Sequence, residues 1–454
     1  MPLGINMGLK KNRLAVLIII LVIGILSLFV NDFVIGKTAV QSMRTSDSSP
    51  MKPVHISYQQ GYNSEYLKYA FSPDGSPLDL QIIENNANNS RFGYNSIAVD
   101  AITNKPHVIY IDELSGNLKY AKYVGINGNC GFDSNGNLIG NWQCGLLEDP
   151  FYPVNVNVPP SIDIQYSYIP DTLHAIYMSS LLVYPYTSRL IYAEYVANGG
   201  NCGPNGYTWR CRTVDENIGS ISLATNYLTG KAHISYHKGG GSPDGSMNYA
   251  SYVGFYNGNC GYLSSWQCDV IENGVEMSSI GVGNSVNEVP QISYNKFNST
   301  NGYHNELKYA KYVGGGGNCG PSGNPQVLRW QCDVIDDFNG GMSSLSVEDN
   351  GRPHISYLDD QNMDLKYARY VGSGGNCGPS GDWQCDVIDK KGNVGTFSSI
   401  NVIDGIAHIS YFDTTNLRLK LARYVGSGGN CGPQNEWSCQ FVDDPGFFGQ
   451  SSTG

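Results

Sequence analysis

Charge is scarce in this chain. Only 15% of the 454 residues are Asp, Glu, Lys or Arg, against roughly 25% in an ordinary soluble protein. Basic residues number 28 against 39 acidic ones, a formal charge of -11. Affinity for a phosphate backbone is built from Lys and Arg, so DNA and RNA are excluded as partners. Helical periodicity is missing after residue 36, and the spacing leaves no room for the crossovers that parallel strands need. G-x-S-x-G, H-E-x-x-H and phosphate loops are all absent, which removes the hydrolase and nucleotide chemistries those motifs carry. C-x2-C and C-x-x-C-H are missing too, so neither a zinc knuckle nor covalent haem is expected. No cofactor is expected. Disorder is excluded by a hydrophobic fraction of 41%.

Glycine and tyrosine are abundant, at 55 and 32 residues. With so little helical pattern, that composition describes a β protein rich in tight turns. Its N-terminal end differs. Leu14 to Val30 are 17 nearly apolar positions broken only by Gly24 and Ser27, with Lys10, Lys11 and Arg13 just before them. At about 1.5 Å per residue the run spans roughly 25 Å, close to a hydrocarbon core once Phe33 to Ile35 are added. The basic flank holds the N-terminus in the cytoplasm. Residues 1–36 are therefore expected to be an uncleaved signal anchor that enters the membrane through 14–35, with 37–53 a stalk rich in Ser and Thr. A cleavable signal peptide is the alternative, but Lys37 is misplaced for a small-x-small site near Ala39. A prepilin leader has a similar layout, yet the apolar stretch lacks the glutamate such leaders carry.

From residue 54 the chain repeats. One phrase stands at His55 (HISY), His107 (HVIY), His174 (HAIY), His233, Gln291 (QISY), His354 and His408, at separations of 52 to 67 residues. About ten residues later comes LKYA or a variant, at Leu67, Leu118, Leu190, Met247, Leu307, Leu365 and Leu419. WQC with an apolar tail closes most copies, and an SSI-type phrase at Ser278, Ser343 or Ser398 opens the next. Each phrase is short, alternating and β-branched or aromatic, with Gly, Asn and Asp between, which reads as four strands per unit and seven units. In HISY the His and Ser face one side and the Ile and Tyr the other, so both faces need cover.

Four-stranded units of this length arranged about an axis form a β-propeller. The phrases resemble the HISY/LKYA propeller repeats of bacterial and archaeal surface proteins, over residues 54 to about 450. That resemblance implies an all-β, seven-bladed propeller of four-stranded antiparallel blades over 54–454, following the N-terminal membrane helix, with SSI innermost and WQC outermost. No SSI phrase precedes His55. The tail from Phe447 aligns with Thr396–Ile400, so the first unit is expected to take its inner strand from the C-terminus, with closure from the stalk or an open slot as the alternatives.

Twelve cysteines fall in six pairs, each inside one repeat: Cys130 and Cys144, Cys202 and Cys211, Cys260 and Cys268, Cys319 and Cys332, Cys377 and Cys385, Cys431 and Cys439. Each pair brackets the loop between third and fourth strands. Disulfides there would staple hairpins of roughly 9 to 15 residues, worth about 2.5–3 kcal/mol each, and imply an oxidising compartment. The protein is thus expected at the cell surface, or secreted if the anchor is removed. Asn88 and Asn298 head glycosylation sequons.

His55, His107, His174, His233, His354 and His408 share one register, often with an acid a few residues on, as in His354 and Asp359. Because a catalytic site is a single constellation and these recur, they are expected to be structural, each satisfied within its own blade. Departures from the repeat are the better site candidates, since function sits on loops carried by a rigid frame. They are Leu146–Ile162 with Asp149, Phe151 and Tyr152; Leu181–Arg189 with Tyr184, Tyr186 and Arg189; His237–Ser246; and Asn298–His304. Asp133–Asn137 has the start of a calcium loop without its distal Glu. Sialidases also use propellers, but the resemblance to them is thin: Ser72-Pro-Asp-Gly and Ser242-Pro-Asp-Gly lack the Asp-box spacing and Trp, and arginine is sparse. The expected function is a non-catalytic binding or adhesion module for a glycan or protein. A self-assembling surface layer, sheath or fibre is the alternative, and a sialidase-like glycosidase the second.

Overall fold

The computed structural model describes residues 53–61, 65–73, 78–85, 91–100, 102–147, 154–165, 172–180, 188–203, 208–226, 228–239, 245–283, 288–298, 304–320, 327–338, 340–444 and 451–453. The expected membrane segment 14–35 lies outside them, as does the stalk up to residue 52. No helix among the described residues is long and apolar enough to cross a membrane. Helix there is limited to short turns such as Pro433–Asn435, and the fold is all-β.

Five sheets have four antiparallel strands each in the expected order. In the sixth unit, for example, Ser343–Val347, Pro353–Asp359, Asp364–Tyr370 and Trp383–Asp389 are hydrogen-bonded in sequence. The first two units differ by sharing one nine-stranded sheet. The link is a short strand, Cys130–Phe132, whose Phe132 bridges Ile82 of the first unit. The longest of the cysteine loops, with a separation of 14, has room for that extra strand.

Opening strands of successive units lie side by side. Phe92–Val99 packs on Ser161–Gln165, followed in turn by Ile218–Thr225, Val275–Val282, Ser343–Val347, Val394–Ile403 and Ser451–Thr453, which lies against Phe92–Val99 again. Ser451–Thr453 also pairs antiparallel with Val54–Gln60, so the C-terminal tail supplies the strand that the first unit lacks.

Each opening strand would leave an open edge of backbone donors, an exposure that sheets normally have to manage. The SSI serines cover it. The Ile280 N–H donates to Ser222 Oγ at 3.2 Å, Leu345 N–H to Ser279 Oγ at 3.0 Å and Ile400 N–H to Ser344 Oγ at 3.3 Å, each serine belonging to the preceding unit. The other serine of the phrase bonds the HISY serine of that preceding unit: Ser278 with Ser235 at 2.9 Å, Ser343 with Ser293 and Ser398 with Ser356 at 3.0 Å. One phrase thus serves two neighbours.

Burial on both faces makes the repeat obligatory. Every residue of Pro353–Asp359 is buried. Each WQC tryptophan stands edge-on between two tyrosines, one from its own third strand and one from the LKYA phrase of the preceding unit. Trp383, for instance, has Tyr370 at 5.6 Å and Tyr309 at 5.0 Å. Such edge-to-face pairs add about 0.5–1.5 kcal/mol beyond area burial. On the same face the HISY tyrosine donates to an acid of the preceding unit, which also takes the LKYA lysine: Tyr357 and Lys366 on Asp336, Tyr411 and Lys420 on Asp389, Tyr58 and Lys68 on Asp443.

All six disulfides are formed in the expected pairs, with Cα separations of 5.9 Å. The Gly-Asn before each first cysteine has a mechanism. The Asn376 amide donates to the Cys385 carbonyl at 2.9 Å while its oxygen accepts from the Cys385 N–H at 2.7 Å, a side chain imitating a strand. A Cβ on Gly375 would come within 1.9 Å of the Trp383 carbonyl oxygen, so only glycine fits there.

Deleting Ser451–Gly454 should expose the edge of Val54–Gln60 and lower stability by about 2 kcal/mol, the worth of a few ladder bonds. Thermal unfolding of the full and truncated chains measures it; equal midpoints would contradict the closing role.

Candidate functional site

The repeated histidines find tyrosine, not the acid that follows them. Nδ1 meets the LKYA hydroxyl in His55 with Tyr69, His107 with Tyr120, His174 with Tyr192, His233 with Tyr249 and His354 with Tyr367, at 2.5–2.7 Å. The acid is spent locally, since Asp359 accepts from the N–H groups of Gln361 and Asn362 and closes a turn. Two exceptions prove informative. Where Gln291 replaces the histidine, Tyr309 donates to its Oε1 at 2.5 Å. Where Leu421 replaces the tyrosine, the His408 Nδ1 turns to the Ile406 carbonyl at 3.1 Å. Only His354 adds a carboxylate, Glu348, at 2.5 Å on Nε2.

Burial pushes His55, His107, His174, His233 and His408 down to about 4, and the same cause lowers His354. The paired Tyr249 and Tyr367 hydroxyls are raised by burial beyond the ordinary phenol range, which makes them poor nucleophiles. Recurrence and protonation state both give these pairs a packing role.

The repeat breaks most usefully between the third and fourth units. The LKYA lysine, which closes the inter-unit groove on an acid at Lys68, Lys119, Lys308, Lys366 and Lys420, is Asn248 here. Its amide is drawn back to Ser246, donating to the carbonyl and hydroxyl oxygens at 2.9 Å. The groove stays open as a cleft of about 710 Å3 whose wall includes Asp215, Glu216, Tyr236, Lys238 and Asn248. Asp215 accepts from the Tyr236 hydroxyl at 2.8 Å and from Lys238 Nζ at 2.6 Å. Glu216 is bonded by Arg189 Nε at 3.2 Å. In the third unit the same lysine position is Ile191, and there the groove is filled by apolar packing with Leu147 and Tyr177.

Of the sequence-singled residues, Arg189 therefore reaches the cleft through Glu216. His237 is buried on the other pleat face of its strand, against Gly219, where an added Cβ would come 2.7 Å from its Nδ1. His304 is buried far along the chain beside Phe338, ring centres 4.4 Å apart. Asp149, Phe151, Tyr152, Tyr184, Tyr186 and the sequon Asn88 lie outside the described residues. The Asn298 amide nitrogen, the atom glycosylation would use, donates to Glu306. Asp133 folds onto its own loop, accepting from the Asn135 and Asn137 N–H groups at 2.9 and 2.8 Å. The singled-out segment His237–Ser246 supplies Lys238 and Ser246 to the cleft wall, whereas Asp215 and Asn248 escaped sequence reasoning. The signal was present as MNYA in place of LKYA.

No protein-family model and no curated protein matches the chain. Among solved structures, AofleA from Arthrobotrys oligospora aligns with a TM-score of 0.42 at 10% identity, over 90% of this chain and 95% of that one. The leech intramolecular trans-sialidase gives 0.30 at 8% identity, over 87% and 85%. The intramolecular trans-sialidase from Ruminococcus gnavus gives 0.29 at 12% identity, over 65% and 83%.

The histidine positions fix the acid limb of stability. A folded value near 4 against an ordinary 6.5 means protons bind the unfolded chain first, so stability is complete above about pH 6.5 and drains as pH falls toward 4. His233→Gln, copying the natural Gln291, should flatten that slope, with up to about 3 kcal/mol less acid loss at pH 4. Melting temperatures from pH 4 to 7.5 would show it; parallel curves would count against the neutral-histidine reading.

Proposed function

We propose that this chain is a seven-bladed β-propeller of the HISY/LKYA surface type, held outside the cell by a membrane segment at 14–35, that binds a neutral glycan without transforming it. Seven repeated units and the circuit of neighbouring opening strands that Ser451–Thr453 completes support the blade count. Six disulfides support an oxidising location.

The observation that carries the binding role is the cleft opened by Asn248. Its charged groups offset one another, with Lys238 on Asp215 and Arg189 on Glu216. A ligand carboxylate would find no unspent cation among these groups, whereas sugar hydroxyls find acceptors, because a carboxylate holds about four acceptor positions, of which Asp215 has used three, on Tyr236, Lys238 and the Glu216 N–H, and Glu216 one, on Arg189. Both acids are held as ion pairs, an arrangement that suits recognition better than proton transfer to a leaving group. This disfavours sialoside hydrolysis, which needs a cationic clamp for the substrate carboxylate.

Asn248→Lys restores the repeat and should fill the cleft while keeping the fold. On a glycan array the full chain should retain neutral oligosaccharides, and the variant should lose at least tenfold in affinity with an unchanged melting temperature. Release of sialic acid by the unaltered chain, or equal retention by both proteins, would overturn the proposal.

A further inference from the structure

The fifth unit carries a second departure from the repeat, remote in sequence from the cleft. Its second and third strands run on to Asn298 and His304, which pair across the hairpin, two positions beyond the Asp359–Asp364 pair that ends the sixth unit's hairpin. The extension adds His304 two residues before Glu306, so both side chains point to one face of the strand. Asp337, from the end of the outer strand Trp330–Asp336, comes to the same place. The three side chains each offer a ligand atom, and these atoms lie within 4.8 Å of one another.

We propose that His304, Glu306 and Asp337 bind a zinc-class divalent cation. Three features point to a cation rather than to an ordinary ion pair. The His304 Nε2 and Asp337 Oδ1 stand 3.8 Å apart, too far for a hydrogen bond and near the roughly 3.3 Å that separates two ligands bonded to one tetrahedral zinc at about 2.05 Å. Glu306 is only 8% exposed, yet among the described residues it has no Lys or Arg partner. Buried carboxylates are otherwise paired or bound to metals. Its other contact, the Asn298 amide, is neutral and orients the carboxylate without cancelling its charge, a familiar device around metal ligands.

The donor set selects the metal class. Imidazole favours zinc and its late first-row neighbours over calcium or magnesium, which take oxygen alone, while two carboxylates supply the charge for a dication. Three protein ligands leave a fourth position for water or a ligand oxygen. Asp337 is 58% exposed, which gives the ion a route in from solvent, and Phe338 stacked on the imidazole fixes the ring. The equivalent positions of the sixth unit are Asp364 and Lys390, with no histidine, so the set belongs to this unit's insertion.

Untagged full-length chain, stripped with a chelator, should take up one Zn2+ per molecule in titration calorimetry and melt at a higher temperature with the metal present. Asp337→Asn, at an exposed position that leaves folding intact, should weaken Zn2+ binding at least tenfold, and Glu306→Gln more strongly. Co2+ in place of zinc should give visible absorption bands that His304→Ala abolishes. Absence of uptake, uptake unchanged in Asp337→Asn, or a preference for Ca2+ over Zn2+ would overturn the assignment. Neutral-glycan binding by Asn248→Lys is read separately, so either site can fail without the other.

Discussion

A four-stranded sheet whose two faces are both apolar cannot persist in water by itself, and that constraint governs everything else here. Each unit hides one face against the unit before and one against the unit after. The tryptophan of the WQC phrase is the contact through which this is arranged. It is gripped by its own unit's tyrosine and by that of the neighbour, as Trp437 is by Tyr424 and Tyr367. Phrases that look like a local motif are therefore halves of contacts made between units. His354 and Ser356 face forward and Ile355 and Tyr357 face back, so a four-residue word encodes both seams.

One seam is built differently. The first unit, 54–85, has neither the tryptophan nor the cysteine pair, and the only LKYA phrase without its tyrosine is the one in the seventh unit, which packs against it. The two losses match: with no ring to receive, Leu421 joins an aliphatic cluster with Val54, Ile56 and Ala70. His408, deprived of its hydroxyl partner, takes a backbone carbonyl instead. The missing tryptophan thus accounts for two changes, at Leu421 and His408, which no reading of the phrases singly would connect.

Legibility in the sequence followed the same division. Strand order, the six disulfides and the C-terminal origin of the missing strand were readable because each depends on a short phrase repeated at fixed register. Histidine partners were not, since pairing His354 with Asp359 is natural along the chain while Tyr367, opposite Ser356, comes diagonally within reach of His354 only once the hairpin closes. The cleft escaped for a related reason. Long insertions stand out in a sequence, whereas this groove is opened by a single shortened side chain, Asn248. His304 was singled out as part of an insertion, but Glu306 and Asp337 looked like ordinary polar residues until the sheet brought their ends together. The nine-stranded sheet was likewise unreadable, because it rests on one bridge between Ile82 and Phe132.

The closing strand has a consequence for how the molecule is made. Ser451–Thr453 follows all six cysteine-clipped hairpins in chain order, while the edge it covers, Val54–Gln60, precedes them all. Six hairpins can be oxidised one after another as they appear, but the leading unit carries no such clip and stays half-built until its partner strand has been made. Proofreading of such a chain therefore has a simple readout: a copy cut short of Ser451 displays that naked edge, and one that reaches Thr453 conceals it.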